Sequence, residues 1–111
     1  LCSLSGLVFL DLAFNKISSL PSEMANLTAL NELHLNDNQL RELPLEIGDL
    51  DEMIDLFLSN NPLNKVPETL GKMSNLERLY LSDNLLTELP GELDGLVSQD
   101  IVLLDGNPLN E

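Results

Sequence analysis

Few residues in this 111-residue chain could carry out chemistry. It has one histidine, His34, and one cysteine, Cys2, beside 19 acidic residues and five Lys and Arg, and its formal net charge is -14. A Ser–His–Asp or Cys–His arrangement would have to use His34 alone, and a metal site of clustered His and Cys is excluded. We therefore predict no catalytic residues, no metal ligands and no cofactor, so that the chain is not an enzyme.

What the chain offers instead is a set of charged and aromatic side chains that recur every 23 residues. Seven of them lie beside or between aliphatic positions: Asp11, Glu32, His34, Asp55, Phe57, Arg78 and Tyr80. Aromatic rings among charges are typical of a protein-binding hot spot, and we predict that these seven residues bind a partner protein. The alternative is that the rings only stabilise a sheet as cross-strand neighbours. Arg78 could pair with Asp55 or bind a carboxylate of the partner.

The elements that must position these side chains repeat with the same period. Leu33 and Leu35 alternate with His34, the pattern of a strand with one buried face. Equivalent pairs recur at Leu10/Leu12, Leu56/Leu58, Leu79/Leu81 and Val102/Leu104. Strands that recur in register must be parallel. In the second half of the unit, apolar residues at spacings of three and four predict a short helical turn, with Pro44 suited to its first position.

An asparagine follows each predicted strand. The column comprises Asn15, Asn38, Asn61, Asn84 and Asn107. The chain must turn sharply here and leave backbone groups unpaired, and an inward amide side chain can both donate to and accept from them. We predict that these asparagines bridge adjacent turns and have no catalytic role.

Together these columns resemble the leucine-rich repeat family over the whole chain. The family pattern L-x-x-L-x-L-x-x-N-x-L reads as LNELHLNDNQL from Leu30 and as LERLYLSDNLL from Leu76. The resemblance implies an α/β fold: a curved solenoid with a parallel β-sheet on the concave face and short 3₁₀ or α turns on the convex face. The Leu-Pro ending of each unit is similar to that of intracellular members such as Ras-pathway scaffolds, and it is also seen in bacterial repeat proteins and plant receptors.

The repeat also predicts the domain organisation. We expect one leucine-rich repeat domain over residues 1–111, as a fragment of a longer parent chain. It would contain a partial repeat 1–6, full repeats 7–29, 30–52, 53–75 and 76–98, and a degenerate partial repeat 99–111. In that last unit Ile101 to Leu104 are all apolar, so either a following segment covers them or Ile101 and Leu103 extend the binding surface.

Charge and resemblance lead to one functional hypothesis. We predict a non-catalytic scaffold or adaptor in the cytoplasm that binds, on its concave face, a partner protein with a basic surface. The acidic balance argues against nucleic acid and anionic membrane as main ligands. No apolar run approaches the roughly 18 residues of a membrane span. A lone cysteine favours a reducing compartment. The alternatives are a recruiting or sensing segment of a larger kinase, cyclase, phosphatase or ubiquitin ligase, part of an extracellular receptor ectodomain, or a structural spacer.

Overall fold

The computed structural model describes residues 6–99 and 101–109, which form successive coils around one core. Each coil contributes one strand to a parallel sheet: β1 (Phe9–Asp11), β2 (Glu32–His34), β3 (Asp55–Phe57), β4 (Arg78–Tyr80) and β5 (Val102–Leu103). The strand order is β1-β2-β3-β4-β5. Leu33 pairs with Leu56, and Leu56 with Leu79, so each residue lies opposite the residue 23 positions later. The predicted α/β solenoid with its parallel sheet is confirmed.

Short helical turns lie on the opposite side of each coil. The 3₁₀ turns are Ser22–Asn26, Leu45–Asp49, Glu68–Lys72 and Gly91–Leu93, and the last continues into α1 (Asp94–Val97). The sequence placed Pro44 at the first position of its turn, and this was wrong by one residue. Pro44 precedes the turn with an extended backbone, φ -67° and ψ 148°, and its carbonyl accepts the N–H of Ile47 at 3.1 Å. The same holds for the equivalent prolines because each starts an i to i+3 bond.

The leucine columns fill the space between the sheet and the turns. Leu33 and Leu35 are fully buried, whereas His34 between them stays partly exposed, so the alternation predicted from the sequence is confirmed. Ile47 and Leu50 approach the same core from the 3₁₀ side. Each fully buried side chain of this size stabilises the fold by about 1.5–3 kcal/mol. This core lies against one face of the sheet, so the outward positions of the strands are not needed to fill it.

Four of the five asparagines bridge adjacent coils as predicted. The Asn61 side-chain oxygen accepts the N–H of Leu40 at 3.1 Å, and its nitrogen donates to the carbonyls of Leu35 and Leu58 at 3.0 Å. The same bridging is made by Asn38, Asn84 and Asn107. Asn15 differs: it is exposed and bonds only within its own coil. These four asparagines therefore connect the coils through backbone groups that the sheet does not pair.

The residue before each asparagine adopts a left-handed backbone. These residues are Phe14, Asp37, Asn60, Asp83 and Gly106, with φ between 56° and 81°. This conformation turns the chain away from the sheet just after each strand. Asp, Asn and Gly adopt it at low cost, whereas a bulky residue such as Phe14 is strained by it.

Candidate functional site

The outward side chains of the sheet place four rings side by side. We call Phe9, His34, Phe57 and Tyr80 the aromatic stripe. The ring centroids of His34 and Phe57 are 4.2 Å apart and nearly parallel, at 16°. Phe57 and Tyr80 meet edge to face at 4.7 Å, and Phe9 lies 5.4 Å from His34 at a tilt. The 23-residue register produces this contact because it puts His34, Phe57 and Tyr80 directly opposite one another.

The aromatic stripe is only partly covered. Phe9 is 51% exposed, and the other three rings are half-buried. Such ring pairs contribute about 0.5–1.5 kcal/mol each beyond the burial of their area, so the stripe supports the sheet. It also leaves apolar ring surface open to water, which a partner could cover. At its far end Leu103 lies opposite Tyr80 and is 46% exposed, so it extends the apolar surface, whereas Ile101 packs partly against the core.

Two of the carboxylates beside the aromatic stripe already have cationic or polar partners. An oxygen of Glu32 lies 2.7 Å from Nε2 of His34, two residues away on the same face. Arg78 donates to Asp55 on the neighbouring strand at 2.6 Å. Of the two alternatives that the sequence left open for Arg78, the structure therefore contains the pair with Asp55. The hydrogen bond and charge of Asp55 raise the pKa of Arg78 above its ordinary value. These pairs give both carboxylates a hydrogen-bond partner within the sheet.

The acids at the edges of the sheet are also hydrogen-bonded. The Asp11 carboxylate accepts the N–H of Ala13 at 3.0 Å, and Asp11 lies opposite His34 in the register. Asp105 accepts from the Ser82 hydroxyl at 2.8 Å. The structure thus brings all seven residues predicted from the sequence onto one face of the sheet. It surrounds the rings with acids that are held in place rather than with a patch of unpaired charge.

Phe9 is the member of the aromatic stripe that was not among the seven residues predicted to bind a partner. It lies opposite Glu32 in the register, one column away from His34, yet its ring reaches His34 diagonally. Diagonal neighbours in a sheet are within reach of aromatic side chains. In β1 the residue opposite His34 is Asp11, and Phe9 lies two residues before it. That offset was the signal in the sequence that could have identified Phe9.

Among residues 6–99 and 101–109, no three His, Cys, Asp or Glu come close enough together to hold a metal ion. Cys2 lies outside these residues. The short helical turns within the same ranges are neither long nor apolar enough to cross a bilayer.

Comparison with known proteins identifies similar sequences and folds. A family model described as leucine-rich repeat region matches residues 1–98. A solved leucine-rich repeat protein of Leptospira interrogans is 36% identical, with a TM-score of 0.86, and the match covers 96% of this chain and 27% of that one. A search of curated proteins found no match.

Two similar structures are plant receptors with a bound ligand. The ectodomain of the Arabidopsis thaliana membrane receptor kinase GASSHO1/SCHENGEN3, in complex with CASPARIAN STRIP INTEGRITY FACTOR 2, is 37% identical with a TM-score of 0.81, covering 96% of this chain and 13% of that one. The plant peptide hormone receptor RGFR1, in complex with RGF2, is 30% identical with a TM-score of 0.85, covering 97% and 18%. The chain therefore spans less than a third of the length of each of these similar proteins.

Proposed function

Because the chain belongs to the leucine-rich repeat family, we propose that it is a scaffold or adaptor segment that binds a partner protein through the aromatic stripe. The family fold is a protein-interaction module and is typically non-catalytic. The observation that carries the proposal is the contiguous row of partly exposed rings on outward strand positions. The sheet would be complete without aromatic residues there, because its core is already filled from the other face.

The partner that fits this surface has apolar side chains at its centre and basic groups around them. The rings would pack against the apolar centre, as buried aromatic anchors do in interface hot spots. Asp11, Glu32 and Asp55 would attract the basic groups and speed association at low salt. Because Glu32 and Asp55 already have partners in the free chain, their contribution would appear in the rate of association more than in affinity.

A second candidate function is supported by the plant receptors among the similar structures. The chain would then be part of an extracellular receptor ectodomain that binds a peptide, as the GASSHO1/SCHENGEN3 and RGFR1 structures contain bound ligands. Both candidates use the chain as a binding surface and differ in compartment. We propose the cytoplasm, on the strength of the single cysteine in the sequence.

The test is affinity capture with a double variant, Phe57→Ala with Tyr80→Ala. The immobilised wild-type chain should retain a partner protein from a lysate of its source, and the double variant should lose at least nine-tenths of it. Removing the rings also removes stabilising contacts, so a control of reduced stability is needed. Gly71→Ala serves because it disturbs the 3₁₀ side and leaves the aromatic stripe intact. Equal capture by wild type and double variant would refute the proposal.

A further inference from the structure

A second surface feature lies away from the sheet, where three successive coils each contribute an aliphatic residue followed by proline. Leu43–Pro44, Val66–Pro67 and Leu89–Pro90 line one groove of about 720 Å³, which we call the Leu-Pro groove. Its volume falls within the roughly 300–1,000 Å³ of small-ligand pockets. Leu43 and Val66 form the floor at 7% and 5% exposure, whereas Leu45 at one wall is 59% exposed. All of these residues lie in the middle of the chain, flanked by further coils on both sides.

The rim of the Leu-Pro groove is strongly acidic. Its charged residues are Glu42, Glu68, Glu88, Glu92 and Lys65. All five are exposed, and none forms an ion pair with any residue that the structure describes. The aromatic stripe differs, since Glu32 and Asp55 there are paired. With four glutamates to one lysine, the rim is complementary in charge to an occupant with cationic groups.

The walls of the Leu-Pro groove also restrict the backbone of its occupant. Pro44, Pro67 and Pro90 have no N–H, and their extended backbones offer no regular row of donors. A peptide could not add to these walls as a β-strand, because strand addition depends on main-chain hydrogen bonds. A polyproline-II segment needs no such bonds, since its backbone polar groups remain solvated.

The spacing of the rim carboxylates fits that conformation. Glu42 and Glu88 occupy equivalent positions two coils apart, and strands two coils apart in the sheet are separated by about 10 Å. Residues three apart in a polyproline-II segment are separated by about 9.3 Å and point the same way. Lys65 lies at the equivalent position between them and would repel a third cation at the centre.

We propose that the Leu-Pro groove binds an extended polyproline-II segment of a partner protein with two Arg or Lys residues three positions apart. The two cationic groups would reach Glu42 and Glu88, while the aliphatic stems of their side chains and the apolar remainder of the segment would lie on the proline rings. This site shares no residue with the aromatic stripe and does not depend on the function proposed for it.

The test uses a fluorescein-labelled octapeptide, Pro-Pro-Arg-Pro-Pro-Arg-Pro-Pro, titrated with the full chain at low ionic strength and followed by fluorescence anisotropy. Glu42→Gln combined with Glu88→Gln should weaken binding about tenfold. The matched control, Glu23→Gln with Glu52→Gln, removes the same charge outside the groove and should leave the Kd within a factor of two. A peptide with its two Arg adjacent should bind several-fold more weakly, and one with Glu in place of Arg should not bind.

Amide chemical shifts locate the bound peptide. The amides that follow each proline, those of Leu45, Glu68 and Gly91, should shift on titration, and Phe57→Ala with Tyr80→Ala should leave the affinity unchanged. The proposal is overturned if the Arg peptide does not bind. It is also overturned if Glu42→Gln with Glu88→Gln weakens peptide binding no more than Glu23→Gln with Glu52→Gln does. Shifts confined to His34 and Tyr80 would also overturn it, because the peptide would then occupy the sheet.

Discussion

Asn61→Ala removes a buried side chain whose bonds can be counted one by one. In the folded chain Asn61 is 4% exposed. Its oxygen accepts the N–H of Leu40, and its nitrogen donates to the carbonyls of Leu35, Leu58 and Ser59. After substitution the carbonyls of Leu35 and Leu58 keep one amide donor each, from Asn38 and Asn84 respectively, and the carbonyl of Ser59 keeps the N–H of Asp37. The N–H of Leu40 loses the acceptor that Asn61 supplies.

The expected cost follows from that difference. A buried group left without a partner costs about 1–3 kcal/mol, whereas carbonyls that each retain a donor add little, so we expect a loss of about 2 kcal/mol in the free energy of unfolding. Asn15→Ala is the matched control. Asn15 is exposed and bonds only to carbonyls of its own coil, so its replacement should cost less than about 0.5 kcal/mol.

Urea unfolding followed by circular dichroism measures both variants. The midpoint should fall clearly for Asn61→Ala and remain near wild type for Asn15→Ala, with slopes unchanged. Equal midpoints for the two variants would show that bridging between coils does not stabilise the fold. A large loss for Asn15→Ala would show that bonding within one coil is sufficient.

Two further predictions concern the backbone. Gly71→Ala should lower the free energy of unfolding by about 1–3 kcal/mol, because an added Cβ would lie 2.5 Å from the carbonyl oxygen of Glu92. Gly91→Ala, whose added Cβ meets open space, should be nearly neutral. Thermal unfolding compares the two variants, and equal melting temperatures would contradict the close packing of adjacent turns. Phe14→Asn should raise the free energy of unfolding by about 0.5–1 kcal/mol, since Phe14 is 78% exposed and holds a left-handed backbone, φ 60°. Chemical denaturation measures this change in stability. A destabilised variant would mean that the ring makes stabilising contacts.

The sequence was sufficient to predict the fold because its spacings act directly on the backbone. Alternation at Leu33, His34 and Leu35 determines which side faces the core, and the constant 23-residue interval sets the register of the whole sheet. The role of the asparagines followed from the donors and acceptors of an amide. These are properties of residue types at known separations, and they do not require knowledge of exact angles.

The finer features depend on geometry that a pattern of residue types does not contain. The left-handed residues occur at a fixed position, and Asp37, Asn60, Asp83 and Gly106 were a usable signal, but Phe14 in the same column obscured it. Phe9 joins the aromatic stripe through a diagonal contact that depends on ring orientation. The Leu-Pro groove arises from the shape enclosed by three coils, although each Leu-Pro pair was visible in the sequence.

The binding role of the aromatic stripe is tested most directly by hydroxyl-radical footprinting of the chain with and without its captured partner. Phe57 and Tyr80 should react several-fold more slowly in the complex, whereas Phe14, which lies outside the aromatic stripe and is 78% exposed, should react at the same rate in both. Undiminished oxidation of Phe57 and Tyr80 in the complex would contradict binding at the aromatic stripe.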